Sequence, residues 1–231
     1  MRLIVFSRII KKVVNKKEMK IILPEKSLLR KTGKVDYFNW NYSFPIKYVQ
    51  LYRFKTLTKL LGDTVYPRIL EAGTGSGIFL PELARHCDRI YACDVHTHFD
   101  SIDALLMHYN IKNYELKTQS IEKTDYPDNY FDVIVAVSVL EFVTDLQAAI
   151  TEIKRILKND GVFITICPMN SKFLDAILSI YSEKKPKEEF GDSRVYVSKS
   201  LENNFTVIKK GYMFPIVGKL FPVYTHYKLK K

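Results

Sequence analysis

Long apolar runs are missing from this chain: no uncharged stretch approaches the ~18 residues of a membrane-spanning helix. The "LIVF" after Arg2 is also too short for the core of a signal peptide. Cysteine is scarce. Cys87, Cys93 and Cys167 form no CxxC pair, and two of the three sit in apolar runs that read as buried strands. They suit small core residues in a reducing compartment, so a cytoplasmic location is expected. Repeats and low-complexity tracts are absent. Glycine is thin too, nine in 231 residues, yet three fall within five positions of "LEAGTGSG", residues 70 to 77. With 47% hydrophobic residues, the chain can bury a one-domain core without staples.

Acidic residues are the minority, and their distribution matters more than the net +11. Residues 1–35 carry eleven Lys or Arg against Glu18 and Glu25, hence +9, and residues 209–231 carry six Lys and no acid. The 173 residues between sum to −4. "LIVFSRIIKKVVNKKEMKII" alternates apolar and basic pairs, which suits a basic amphipathic helix on an anionic surface or a helix packed on the domain with a solvated lysine face. "KTGKVDYFNWNYSFP" (31–45) is a turn-rich connector, and Pro45 opens a helical pattern that Gly62 closes.

From residue 67, strands alternate with helices. "RILEAG", "RIYACD", "YELKTQ", "FDVIVAVSV" and "DGVFITIC" read as strands. "GIFLPELARH", "FDSIDALLMHYN" and "DLQAAITEIKRILKN" read as the helices between them. Near-continuous Val and Ile in the strands indicate a sheet covered on both faces, so a doubly wound, mostly parallel α/β fold. "SKFLDAILSIYSEKKPKEEFG" suggests a helix and a charged loop, and "FTVIKKGY" and "YTHYKLK" two more strands, which makes seven. In such a sheet the first strand-to-helix turn is a ligand site, because glycines let a ligand lie on the backbone and the helix start offers free N–H groups. The even spacing of Gly73, Gly75 and Gly77 departs from the G-x-G-x-x-G dinucleotide fingerprint.

Glu71-Ala72-Gly73-Thr74-Gly75-Ser76-Gly77 resembles the E/D-x-G-x-G-x-G motif of class I S-adenosylmethionine-dependent methyltransferases, of the small-molecule or lipid branch. Asp94 after "IYACD", "YPDNYFDVIVAVSVLEFV" (126–143) and "EIKRILKNDGVFITI" follow in the family's order, over about residues 67–168. The resemblance implies a Rossmann-like fold and S-adenosylmethionine as cofactor, with Glu71, Gly73, Thr74, Gly75 and Gly77 holding its methionine part and Asp94 its ribose. It also implies an adenine wall of Ser120, Ile121 and Val137, with Ser120 standing where an acid is usual. Residues 1–45 are then a basic helix and aromatic lid, and 46–231 the methyltransferase domain.

Methyl transfer asks mainly for alignment in a dry pocket, and a base is needed only for some acceptors. Glu141 is the best-placed acid, and no catalytic residue is assigned; Phe142 replaces the commoner His. His96 and His98 lack a third ligand, so no metal is expected. The N/D-P-P-Y/F tetrapeptide of amino-methylating enzymes is missing, and so is a Pro-Cys pair after the fourth strand, which favours a small-molecule or lipid acceptor. Tyr37, Trp40, Tyr42 and Glu141 are the candidate acceptor residues, and residues 1–21 the candidate contact with anionic membrane. An RNA-binding or RNA-methylating protein on the same scaffold is the less favoured alternative, in which the +9 arm neutralises phosphates.

Overall fold

The computed structural model describes residues 21–33, 36, 38–44, 46–171, 175, 193–213 and 223–231. The expected basic helix, Tyr37, the Trp40 side chain and most of residues 171–191 and 214–222 lie outside that set.

Helix α1 (Ile46–Leu61) buries Phe54, Leu57, Leu60 and Leu61 and stops where Gly62 turns left-handed, at φ 77°. Strand β1 (Tyr66–Ala72) pairs in parallel with β2 (Cys87–Asp94) and β4 (Phe131–Val137). β3 (Tyr114–Thr118) extends the β2 edge, and β5 (Leu157–Pro168) continues from β4. β6 (Thr206–Tyr212) and β7 (Tyr224–Lys230) form an antiparallel hairpin whose β7 pairs with β5, giving the order β3-β2-β1-β4-β5-β7-β6. This is the expected seven-stranded, mostly parallel sheet. Strand order reverses between β1 and β4, so a crevice opens at the carboxyl ends of these strands.

Successive strand residues point to opposite faces. Leu70, Tyr91, Ile134 and Phe163 pack under α4 (Leu146–Ile156) and α5 (Ser193–Asn204). Ile69, Ile90, Val133 and Ile164 pack under α1 and α3 (Phe99–His108). Burying such side chains on two faces supplies the main driving force, roughly 25 cal/mol per Å² of apolar area.

Two sequence expectations are corrected, and one helix was not read. The helix read over 77–86 shrinks to α2 (Leu80–Leu83) and a 3-10 turn over Ala84–His86. Gly77 is left-handed at φ 77°, the turns Gly77 N–H to Thr74 O and Leu80 N–H to Gly77 O use up the backbone before it, and Pro81 fits only a first turn. The helix read through Asn159 ends at Ile156, because Leu157 is extended and fully buried opposite Phe131. Helix α5 escaped the pattern because it buries only Arg194, Val197 and Leu201 while exposing Val195 and Tyr196.

Candidate functional site

The crevice holds a cavity of about 710 Å³. Its floor is the glycine turn. Gly73, Gly75 and Gly77 all have positive φ, at 69°, 52° and 77°, but their lost side chains serve different ends. A Cβ on Gly73 would overlap the Val139 side chain, and one on Gly77 would press on Ile102 at 3.3 Å. A Cβ on Gly75 would meet only the Asp36 carboxyl carbon, at 4.0 Å, so this glycine alone leaves its side-chain space open to the cavity.

Asp94, at the end of β2, grips the same turn. Its Oδ2 accepts the Gly75 N–H at 2.8 Å and its Oδ1 the Val95 N–H at 2.7 Å. A carboxylate has about four acceptor sites, so capacity for a ligand remains. His96 Nδ1 accepts the His98 N–H at 3.1 Å, which by that geometry puts the ring proton on Nε2, donated to the Gly75 carbonyl at 2.9 Å. His96 therefore braces the turn, and no metal-holding group of side chains occurs among the described residues.

Two buried acids line the cavity. Glu71 accepts from the Thr74 hydroxyl at 2.8 Å; burial pushes its carboxyl up to about 8, Asp94 adds to the rise, and Thr74 and Arg53 oppose it. Glu141 is 5% exposed, and neither of its oxygens meets a hydrogen-bonding partner. Burial lifts it also to about 8, against smaller lowering by its own backbone amide, Arg53 and Arg194. Ser138, left-handed at φ 57°, turns the chain out of β4 and into the segment carrying Glu141.

Arg53 of α1 was not singled out in the sequence. It is the only Lys or Arg lining the cavity among the described residues. It donates to Gln50 Oε1 at 3.0 Å and Ser138 Oγ at 3.2 Å and lies over the rings of Tyr224 and Phe79, at 5.1 and 5.6 Å. Its Nε–H has no partner. The helical period announced α1, but nothing in the sequence said which face met the cavity.

Glu71, Gly73, Thr74, Gly75, Asp94, Ser120, Ile121, Val137 and Glu141 all line this cavity, while Gly77 packs beneath it on Ile102. Ser120 donates to Glu122 Oε2 at 2.8 Å, so the acid at this wall is Glu122, two residues further on. Tyr42 is not on the wall: its hydroxyl donates to the Pro24 carbonyl at 2.6 Å, tying down the N-terminal segment. From that segment Thr32, Asp36, Phe38 and Asn41 face the cavity instead. Thr32 donates through both its backbone N–H and its hydroxyl to Asp36 Oδ2, each at 3.0 Å.

Residues 70–165 match the family described as a methyltransferase domain. The chain is 28% identical to ribosomal protein L11 methyltransferase of Dictyoglomus thermophilum over 142 residues, 62% of this chain and 43% of that protein. It is 31% identical to the mitochondrial arginine-hydroxylase NDUFAF5 of Rattus norvegicus over 102 residues, 43% of this chain and 28% of that one. It thus spans less than half the length of these curated relatives. A SAM-dependent methyltransferase from Aquifex aeolicus shares the fold, with TM-score 0.59 and 21% identity over 76% of this chain and 87% of that one.

Residues 70–165 therefore match a methyltransferase domain, the sheet around them has the fold of that solved structure, and S-adenosylmethionine is the cofactor such a domain uses. The cavity fits that group: the cradle at Gly75 is open, Asp94 keeps acceptor capacity beside it, and Ile121 and Val137 offer apolar walls.

Proposed function

We propose that the protein moves a methyl group from S-adenosylmethionine to a small-molecule or membrane-associated acceptor. The observation that carries this reading is the coincidence, at the strand-order switch, of an open glycine cradle with a strand-end carboxylate that already grips it. In this reading Glu71 and the turn from Gly73 to Gly77 hold the methionine part, and Asp94 receives the ribose hydroxyls. Ile121 and Val137 enclose the adenine, with Glu122 and Ser120 at its edge.

The bound cofactor supplies an activated methyl on a sulfonium. The chain's own contribution is alignment and exclusion of water, worth up to ~7–11 kcal/mol of the barrier when geometry is near ideal. Thr32, Asp36 and Phe38 of the N-terminal segment line the cavity, Asp36 closest to the open side of Gly75. Titration calorimetry with S-adenosylhomocysteine tests the reading; micromolar or tighter binding is expected, and no binding would sink it.

The basic ends of the sequence support an acceptor, or a surface presenting it, that is anionic. Deleting residues 1–21 is expected to abolish co-sedimentation with anionic vesicles while leaving cofactor affinity intact, and raised salt to mimic the deletion. Salt-sensitive retention on RNA without vesicle binding would instead favour a nucleic-acid acceptor. The similarity to a ribosomal-protein methyltransferase makes methylation of a protein the other outcome to score.

A further inference from the structure

Neighbouring lysines of the β6–β7 hairpin live in opposite surroundings. Lys210, on the face toward α5, donates to Glu202 Oε1 at 2.8 Å, as does the Tyr227 hydroxyl. Lys209, on the face toward α1, stands directly opposite Lys228, with Lys230 two residues along β7 on the same face and Lys59 arriving from the last turn of α1. None of these four lysines meets an acid among the described residues, and only Lys228 has a partner there, the Leu60 carbonyl at 2.8 Å. His226 shares their face, its ring lying over Gly211, where a Cβ would overlap it. Burial and the charges of Lys209 and Lys59 push that imidazole down to about 4, and burial, Lys209 and Lys230 lower the Lys228 ammonium, so the group acts as one positive field. Like charges directly opposite one another weaken a sheet, and Lys209 and Lys230 are exposed, so packing does not call for lysine at either place.

Apolar side chains accompany these cations. The register of β6 on β7 shifts between Val207 and Lys209, a bulge that gives Ile208 no partner on β7, and Val207 and Ile208 are 39% and 48% exposed on the outer strand of the sheet. A bulge and lysines on an edge strand oppose its pairing with a second copy of the chain. A cationic field around exposed aliphatic side chains matches an anionic bilayer instead: the ammonium groups draw to lipid phosphates while the aliphatic groups leave water for the acyl boundary. We infer that this edge, through Lys59, Lys209, Lys230, Val207 and Ile208, is a docking surface for an anionic lipid membrane. A nucleic acid would be served by the lysines and would gain nothing from Val207 and Ile208. β7 runs from Tyr224 on the cavity wall to Lys230 on this surface, so the docked strand is also a wall of the site.

This inference rests on the reading of a membrane-associated acceptor and adds a second contact to residues 1–21. A single weak anchor holds a protein only transiently and two hold it stably, so losing either should release it. Full-length protein is sedimented with vesicles of phosphatidylcholine mixed with phosphatidylserine, and with phosphatidylcholine alone. The parent is expected on the mixed vesicles and not on the neutral ones. Lys209→Gln with Lys230→Gln should weaken that partition by about tenfold or more. Its melting temperature should stay level or rise, because the cross-strand repulsion is relieved. Val207→Ser with Ile208→Ser should weaken partition by about threefold or more with no charge altered. Neither change should alter S-adenosylhomocysteine affinity. Partition like the parent's in either variant would overturn the inference. So would salt-sensitive retention on RNA that falls in the lysine variant and ignores the serine variant, the mark of a nucleic-acid surface, or a dimer that the serine variant dissolves, the mark of a second copy on this edge. A parent that leaves the mixed vesicles unbound removes the membrane reading itself and this surface with it, whereas a parent that binds, beside variants that bind equally, removes only the surface.

Discussion

Glu152 and Glu141 are buried almost equally, at 8% and 5% exposure, and live in opposite circumstances. Glu152, on α4 beneath the sheet, accepts from the Thr124 backbone and hydroxyl and from Arg155 through Nε and Nη2, at 2.8 and 2.7 Å. Burial alone would raise its pKa, but those donors outweigh it and hold the carboxyl below the usual range. Glu141, at the open carboxyl ends of the strands, is as little exposed to solvent but enclosed far more deeply by protein, and its side-chain oxygens meet no donor from another residue, so its carboxyl rises. Depth of enclosure and partners together set the charge state of an acid. The underside of the molecule closes its polar accounts internally, and the crevice leaves them open for something that arrives.

The sharpest way to break this contrast is at the glycine turn, where one residue faces the cavity and another faces the protein. Gly75→Val places a branched side chain in the open cradle at a φ of 52°, and S-adenosylhomocysteine binding should fall beyond detection, by more than about a hundredfold, with the fold intact by circular dichroism. Gly73→Ala should do the reverse and cost thermal stability, because its methyl overlaps Val139. A Gly75→Val protein that binds like the parent would mean the cradle is packing, as at Gly73.

On the satisfied side, Glu152→Ala should destabilise by about 2–3 kcal/mol in chemical denaturation. It strands the Thr124 donors and frees Arg155, which is partly solvated and so recovers some of the loss in water. A change under about 0.5 kcal/mol would show that the network is ornamental.

Asp94 belongs to both regimes, since its bonds to Gly75 and Val95 shape the turn while the residue also lines the cavity. Asp94→Ala should weaken S-adenosylhomocysteine binding by about 2 kcal/mol, the scale of a lost charge-assisted hydrogen bond. Calorimetry reads it directly, and unchanged affinity would remove Asp94 from the ribose.

Most of the frame was legible beforehand because it rests on local pattern. The Val and Ile runs of β4 and β5 and the motif around Gly75 announce themselves in sequence. Where two elements compete for the same residues, pattern fails. Leu157 continues the apolar period of α4, yet is taken by the sheet because its side chain fills the space opposite Phe131. Arg53 reads as one solvated cation among many, and only the tertiary fold turns it between Tyr224 and Phe79 and into the cavity. Tyr42 misleads in the opposite sense: an aromatic in a connector suggests a lid, but its hydroxyl serves Pro24. In the site, the cavity-lining acids at the ends of β1 and β2 could be named from sequence, and the cavity-lining cation that α1 supplies could not.

The smallest expected effect isolates the open regime by its pH dependence. Glu141 has a folded pKa near 8, against about 4.5 when unfolded, so the unfolded chain loses its proton first. Stability from this group is undiminished below pH 4.5, declines as pH rises between the two values, and is flat above about 8. The charges facing it are Arg53 from α1 and Arg194 from α5, both favouring the anion, with the Cys167 thiol of β5 beside them, itself held protonated by burial and by Glu141. The raised Cys167 thiol stays protonated through the window and does not mimic the carboxyl. Glu141→Leu removes the penalty, so its stability relative to the parent should grow by about 1–2 kcal/mol between pH 5 and pH 9, the lower range for an unsatisfied buried charge next to a cavity that admits water. Denaturant titrations at the two pH values decide it. A constant difference would mean that Glu141 already has a partner in solution, and the asymmetry between the two buried glutamates would disappear. Glu152→Leu run in parallel should show the opposite trend, its deficit growing as pH rises through the carboxylate range, because there it is the anion that the partners stabilise.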